Sequence, residues 1–364
     1  MRERHVSIER VLFVAPEMRA RGTNEYIVHL SNYFRGLNVD AEVFCGAGPM
    51  VSILREKNIP VQTFNSLGRD HMRSKDRKRL KRALGEVQPQ IIHTQTAQVA
   101  RVVNDLYDDD EVPVLLTLHA IPRRSAFLRS LVPQLAIVVA TSQYLREELV
   151  NECGVEKSAI QVISNAIDMD ELARENVRPI FQDAVPVIGC VGPVEKARGH
   201  ELFVRAAAEV MGKGRNWQFV VAGEGGELPY LRRLSSKLGL DGCLTFVGNF
   251  SSYAEILDAF DIVVQSAQVQ VSGFSILDSM GRGRPVVAFN TGTACELIDS
   301  GSTGLIVPTH DVDSLAGAIE RLIEHPDEAR RMGEAARRQV AEHFNIRTVG
   351  PAMLDLYSQL MEGH

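Results

Sequence analysis

Three short stretches of this 364-residue chain set anion-binding or proton-carrying groups where strands would end and helices begin. In "QVSGFSILDSM", Gln270 to Met280, a glycine opens an amphipathic segment. Helix N-termini present unpaired backbone N–H groups and a partial positive charge. With Gly273 at that point, the amides of Gly273, Phe274 and Ser275 are able to cradle phosphate oxygens. The plainer reading is a glycine-opened helix with no ligand. In "VGPVEKARGHELF", Lys196 and Arg198 precede Gly199 at a second helix start. An arginine there is able to grip an oxyanion bidentately; a solvated loop is the plainer reading. In "VPVLLTLHA", His119 follows an apolar run. A lone histidine is usually structural or solvated, but the carboxyl end of a strand is where α/β sheets bind their ligands.

The elements that must position these groups follow from periodicity. "RVLFVAP", "DAEVFC", "PQIIHT", "VPVLLTLH" and "LAIVVATS" read as buried strands, alternating with helix-period segments such as "EYIVHLSNYF". That alternation is the signature of a parallel sheet covered on both faces. A second series, "PVIGCVG", "WQFVVAG", "CLTFVG", "DIVVQSA", "PVVAFN" and "GLIVP", follows the polar, proline-bearing stretch "ARENVRPIFQDAVP". The length suits two domains. The expected fold class is α/β, two doubly wound parallel-sheet domains, with boundaries at 1–178, 179–345 and a returning C-terminal helix over 346–364.

The stretch from Gln270 to Ala288 resembles the donor-binding segment of retaining GT-B glycosyltransferases, in particular glycosyltransferase family 4. That family's pattern runs E-G-F-G-L-S-I-L-E-A-M, then a small residue and G-x-P-V. The likeness covers nearly the whole chain. "RARGTNEYIVHLSNYF", "QPQIIHTQ", "TLHA", "TSQYLREEL", "SNAIDMDEL", "FVVAGEGGELPYLRRL" and "HFNIRTVGPAMLDLY" each have a family counterpart in the same order. The resemblance implies a GT-B fold with its two Rossmann-like domains facing across a cleft. It implies transfer of a hexose-type sugar from a nucleotide-sugar donor, UDP- or GDP-linked, with retention of configuration. The acceptor would be a glycan, a lipid-linked sugar or a small molecule. No metal and no separate cofactor are implied, because helix dipoles and basic residues neutralise the departing diphosphate.

The resemblance also carries roles onto particular residues. Asp278 matches the acid that accepts hydrogen bonds from the ribose; it is shorter than Glu by about 1.5 Å. Gln270 matches the acid that contacts the donor sugar; its amide still hydrogen-bonds hydroxyls but brings no charge. Arg198 takes the place of the family's phosphate-binding lysine, and Pro193 that of its arginine, with Lys196 between them. His119 matches a histidine near the reacting sugar. Gly22 and Thr23 match a Gly-Gly loop bordering the acceptor pocket and the donor phosphates. Asn165, in "SNAID", reads as a turn residue. No nucleophile is named; the resemblance implies front-face attack.

Composition sets outer bounds. Five cysteines, far apart and without a C-x-x-C pair, argue against a disulfide framework or a zinc site. A net charge of −6 makes nucleic acid an unexpected partner. "MRERHVSIERVLFVAPE" reads as a first strand rather than a signal peptide, and the run "LVPQLAIVVA" is interrupted by Pro133 and Gln134 and is too short to span a bilayer. A cytoplasmic protein is expected. The run "RDHMRSKDRKRLKR", residues 69–82, carries eight Lys or Arg against two Asp. It is either a solvated helix face or a surface for anionic lipid at the inner face of a membrane, or for a phosphorylated acceptor. "AGEGGEL" does not complete a dinucleotide fingerprint, and "YDDDE" reads as a solvated turn. Three rivals stay open: a GT-B chain without catalysis that acts as a binding or partner subunit, a nucleotide-sugar epimerase, and a Rossmann dehydrogenase.

Overall fold

The computed structural model describes residues 7–18, 23–69, 72–107, 111–122, 125–212, 216–248, 250, 253–269 and 272–363. The chain forms two compact units, Met1–Ala166 with Ile346–His364, and Ile167–Asn345.

The first unit is built on β1 (Arg10–Glu17), β2 (Asp40–Gly46), β3 (Val61–Thr63), β4 (Ile91–Thr94), β5 (Val114–Leu118), β6 (Ile137–Ala140) and β7 (Ile160–Val162). All pair in parallel in the order β3-β2-β1-β4-β5-β6-β7. Every residue of β4 and β5 is buried, as helices on both faces require. The strand order reverses between β1 and β4, which opens a crevice beyond their carboxyl ends. The helix Ile346–Gly363 belongs to this unit. Its Tyr357 meets Phe34 edge to face, ring centroids 5.8 Å apart. A Cβ on Gly350 would lie 2.3 Å from the Tyr33 ring, so the glycine admits the close approach of the helix Thr23–Gly36.

The second unit is built on β8 (Val187–Val191), β9 (Gln218–Ala222), β10 (Leu244–Val247), β11 (Ile262–Gln265), β12 (Val286–Phe289) and β13 (Gly304–Val307). Their order is β10-β9-β8-β11-β12-β13, again parallel throughout, and here the reversal falls between β8 and β11.

The first unit ends at Ala166, not at the expected 178. Ile167, Met169 and Leu172 are buried with Ile276, Leu277 and Met280 of the second unit. Charge holds the next residues to the same unit. Arg282 pairs with Glu175 at 2.5 Å and Asp258 at 3.0 Å. Arg284 donates to the Arg178 carbonyl, and Arg178 pairs with the buried Asp261. The supposed linker is thus strapped down by the arginines of "GRGRP".

Candidate functional site

In the second unit, the loops after β8 and β11 meet at the reversal point. The Gln268 N–H donates to the Ala197 carbonyl at 3.0 Å, and Ser266 Oγ donates to the Arg198 carbonyl at 3.3 Å. Two helices start there, His200–Met211 after Gly199 and Phe274–Gly281 after Gly273. Both glycines are left-handed, with φ of 67° and 77°. A Cβ on Gly199 would sit 1.8 Å from the Ser266 carbonyl oxygen, and one on Gly273 would sit 2.7 Å from Leu297 Cδ1. Glycine is required at each, by conformation and by space.

Sequence-expected residues gather around these two helix starts. Arg198 closes the turn Lys196–Arg198 and is half-buried; Lys196 is exposed. Burial lowers the Arg198 pKa from its usual value, while nearby Glu195 opposes the shift. Phe274 is buried and Ser275 is half-buried, its Oγ accepting from the Gln265 side chain at 2.7 Å. Asp278 is half-buried on the same helix, about 6 Å along the axis from Phe274 at 1.5 Å per residue. Gln270 lies outside the described residues.

Next to this crevice the loop after β9 packs tightly on the loop after β8. A Cβ on Gly223 would lie 2.0 Å from the Gly192 carbonyl oxygen, and one on Gly225 2.1 Å from that of Val194. Gly223 and Gly225 of "AGEGGEL" serve this backbone contact; nothing lies within 4 Å of a Cβ on Gly226.

His200, first residue of its helix, was not singled out from sequence, where the motif reads only as far as the glycine. It is 3% exposed, and neither ring nitrogen has a hydrogen-bond partner among the described residues. Burial, with Arg198 beside it, pushes its pKa down to about 4.

In the first unit the two buried histidines are paired. His119 is 4% exposed, with Nδ1 2.9 Å from Asn165 Oδ1 and Nε2 2.8 Å from Gln95 Oε1. Burial pushes its pKa down to about 4, so the ring is neutral at pH 7. A neutral imidazole has one donor and one acceptor. Donation from Nδ1 to Asn165 therefore requires Gln95 to turn its NH2 toward Nε2, which also gives a partner to an otherwise orphaned Gln95 Nε2. Asn165 is thus more than a turn residue, and Gln95 and Asn165 set the tautomer of His119. Behind them His93 bridges Thr117 and the Tyr357 hydroxyl, both at 2.6 Å. Thr23 is half-buried at the start of its helix, and Gly22 lies outside the described residues.

Residues 20–171 match the model of the glycosyltransferases described as "Glycosyltransferase Family 4", and residues 174–339 match "Glycosyl transferases group 1". The chain has the GT-B glycosyltransferase fold. This GT-B chain is 31% identical over 180 residues to an alpha-D-kanosaminyltransferase of Streptomyces kanamyceticus, an alignment covering 49% of the chain and 47% of that relative. It thus spans about half the length of the curated relative it matches. Among solved structures, its fold is shared with a glycosyltransferase from Rickettsia africae, at TM-score 0.81, 20% identity and coverage of 99% and 100%. HepE of Anabaena, solved in complex with UDP and glucose, aligns at TM-score 0.82 and 20% identity, with coverage of 96% and 100%. Among the described residues of the GT-B chain, no helix is long and apolar enough to cross a membrane.

Proposed function

We propose that the chain transfers a hexose from a UDP- or GDP-sugar to a glycan, lipid-linked or small-molecule acceptor, with retention of anomeric configuration. One observation carries the reading. In the second unit two helices, each opened by a left-handed glycine, start from the β8 and β11 loops that meet where the strand order reverses, with the half-buried Arg198 directly before the first. Such a crevice is built for an anion. HepE of Anabaena, solved with UDP and glucose, supports reading that anion as a nucleotide diphosphate.

In this proposal the amides of Gly273, Phe274 and Ser275, with Arg198 and Lys196, receive the diphosphate. Their positive charge, rather than a metal, offsets the charge that develops on the leaving group. Asp278 accepts the ribose hydroxyls. His119 and Gln270 address the sugar, and Gly22 and Thr23 border the acceptor. The bond from the sugar's anomeric carbon to the diphosphate oxygen breaks. The acceptor oxygen bonds to that carbon on the same face, and its proton passes to the departing phosphate oxygen. Arg73, Lys75, Lys78, Lys81 and Arg82 are exposed on and beside the helix Ser74–Val87. They are proposed to contact an anionic surface at the cytoplasmic face of a membrane; residues 70–71 of the basic run lie outside the described residues.

A second reading, a nucleotide-binding partner subunit without catalysis, is favoured by Pro193, exposed and uncharged where the family pattern has arginine. The test is incubation with UDP- and GDP-hexoses, scored for nucleotide release without acceptor and, by NMR, for the anomeric configuration of any product. Slow donor hydrolysis supports the enzyme. Selective nucleotide binding without hydrolysis in any condition supports the partner subunit, and an inverted product overturns retention.

A further inference from the structure

His200 is an unusual occupant of a protein interior. Buried polar side-chain atoms nearly always have hydrogen-bond partners, and exceptions call for a physical reason. The two buried histidines of the first unit follow the rule, His93 with Thr117 and Tyr357, His119 with Gln95 and Asn165. His200 does not: it is buried with Nδ1 and Nε2 both unpartnered. A phenylalanine would fill the same place without leaving a polar atom orphaned.

Its position supplies the reason. His200 is the first residue of a twelve-residue helix, directly after left-handed Gly199, which is wedged against the Ser266 backbone where the β8 and β11 loops cross. Side chains on a helix lean toward its N-terminus, so the ring inclines toward the end where the backbone N–H groups are free. The charge of Arg198 acts on the ring directly. A guanidinium and a helix N-terminus together repel a cation and attract an anion. What is missing from the ring is therefore an anionic partner with acceptor oxygens.

We propose that His200 is a direct ligand of the donor's diphosphate, giving a ring N–H to a phosphate oxygen beside the Arg198 guanidinium. The proposal rests on reading the second unit as the nucleotide-sugar site and adds a residue to it. It predicts opposite signs for two measurements. Replacing an orphaned polar group by an apolar one of similar shape is close to neutral or stabilising for the empty protein. Removing a hydrogen bond to a charged group weakens binding by about tenfold or more.

The experiment titrates UDP, GDP and ADP calorimetrically into the wild-type protein, His200→Phe and His200→Asn, with the thermal midpoint of each protein measured without nucleotide. The expected result is that His200→Phe binds the preferred nucleotide about tenfold or more weakly while its midpoint stays level or rises. His200→Asn, which keeps an N–H near Nδ1, recovers part of the affinity. Wild-type affinity in His200→Phe overturns the proposal and leaves the donor site standing. Affinity and midpoint falling together show a structural role and overturn it as well. Binding of no nucleotide by the wild-type protein removes both this proposal and the donor-site reading beneath it.

Discussion

The two units are the same architecture turned to different ends. Each is a doubly wound parallel sheet whose order reverses once, at β1/β4 in the first and at β8/β11 in the second. Beyond the first reversal, both buried histidines are held by neighbours: His119 lies between two amides, and His93 between two hydroxyls. Beyond the second, the loops carry left-handed glycines, a half-buried arginine and an orphaned histidine. Both crevices are rich in polar groups, so polarity does not separate them. What separates them is whether their buried histidines are already paired. A paired network stiffens a core, whereas a buried ring without partners beside an arginine is able to take a ligand.

The largest expected effect comes from filling the second crevice with one methyl group. Gly199→Ala places Cβ 1.8 Å from the Ser266 carbonyl oxygen, at a φ of 67° that alanine resists. Backbone presses on backbone, so neither side yields cheaply. We expect a loss of more than about 4 kcal/mol from the second unit. The only tryptophan, Trp217, reports that unit by fluorescence during urea unfolding. Gly36→Ala is the control in the first unit, since nothing lies within 4 Å of its added Cβ and its φ is not positive. It should be neutral, or stabilising by about 0.4–1 kcal/mol. A Gly199→Ala protein with an unchanged tryptophan transition would show that the loops do not need their close crossing.

Acid should separate the units in the other direction. Burial lowers His93 to about 3 and His119 to about 4, against an ordinary 6.5. Above pH 6.5 neither the folded nor the unfolded chain holds these protons. Below it the unfolded chain binds protons that the folded chain refuses, so stability falls as pH drops from 6.5 toward 4. The expected cost is on the order of 2–3 kcal/mol per histidine across that window. Among the described residues, two histidines shifted in this way, His93 and His119, lie in the first unit and one, His200, in the second. Between pH 7.5 and 4.5, where most carboxylates stay ionised, the unfolding seen by far-UV circular dichroism should lose more stability than that seen by Trp217. Equal losses by both probes would remove the buried-histidine contrast.

Arg198→Ala tests the second crevice as an anion site. Loss of its charged contacts should weaken UDP or GDP binding by roughly a hundredfold, leave uridine or guanosine binding unchanged, and move the tryptophan transition little. Unchanged nucleotide affinity by calorimetry takes Arg198 out of the site.

Much of this was legible in the residues. The eleven strand-like runs read from apolar pattern correspond to eleven of the thirteen strands among the described residues. The two not read, β3 and β7, have three residues each and lie at the sheet edges, too short to show a period. Gly199 and Gly273 could be read because a helix start after glycine is a local signal. The pairing of His119 with Gln95 and Asn165 could not, because those contacts span 24 and 46 residues and depend on which strands become neighbours. Nor could the burial of Arg282 and Arg284. "GRGRP" reads as a polar turn until Asp258, Glu175 and Asp261 are seen around it. His200 was hidden for a related reason: a histidine beside a glycine looks alike in any sequence, and only the absence of partners in the fold marks it.

The smallest effect is also the one that fixes the direction of the bound nucleotide. Asp278 lies a little over one helical turn beyond the amides of Phe274 and Ser275, about 6 Å along the axis, and is half-buried. If the amides and Arg198 hold phosphate, a group at that distance meets the next part of a nucleotide, its ribose. A carboxylate accepts from two hydroxyls at once, whereas an asparagine offers one acceptor oxygen and a competing NH2. Asp278→Asn should therefore weaken UDP or GDP by about tenfold but weaken the 2′-deoxy form much less, shrinking the preference for ribose over deoxyribose. Arg198→Ala should leave that preference intact, because it acts on the phosphates alone. If both variants lose the ribose preference equally, the two residues do not read separate parts of the ligand. The helix Phe274–Gly281 would then have to bind its anion in some other orientation.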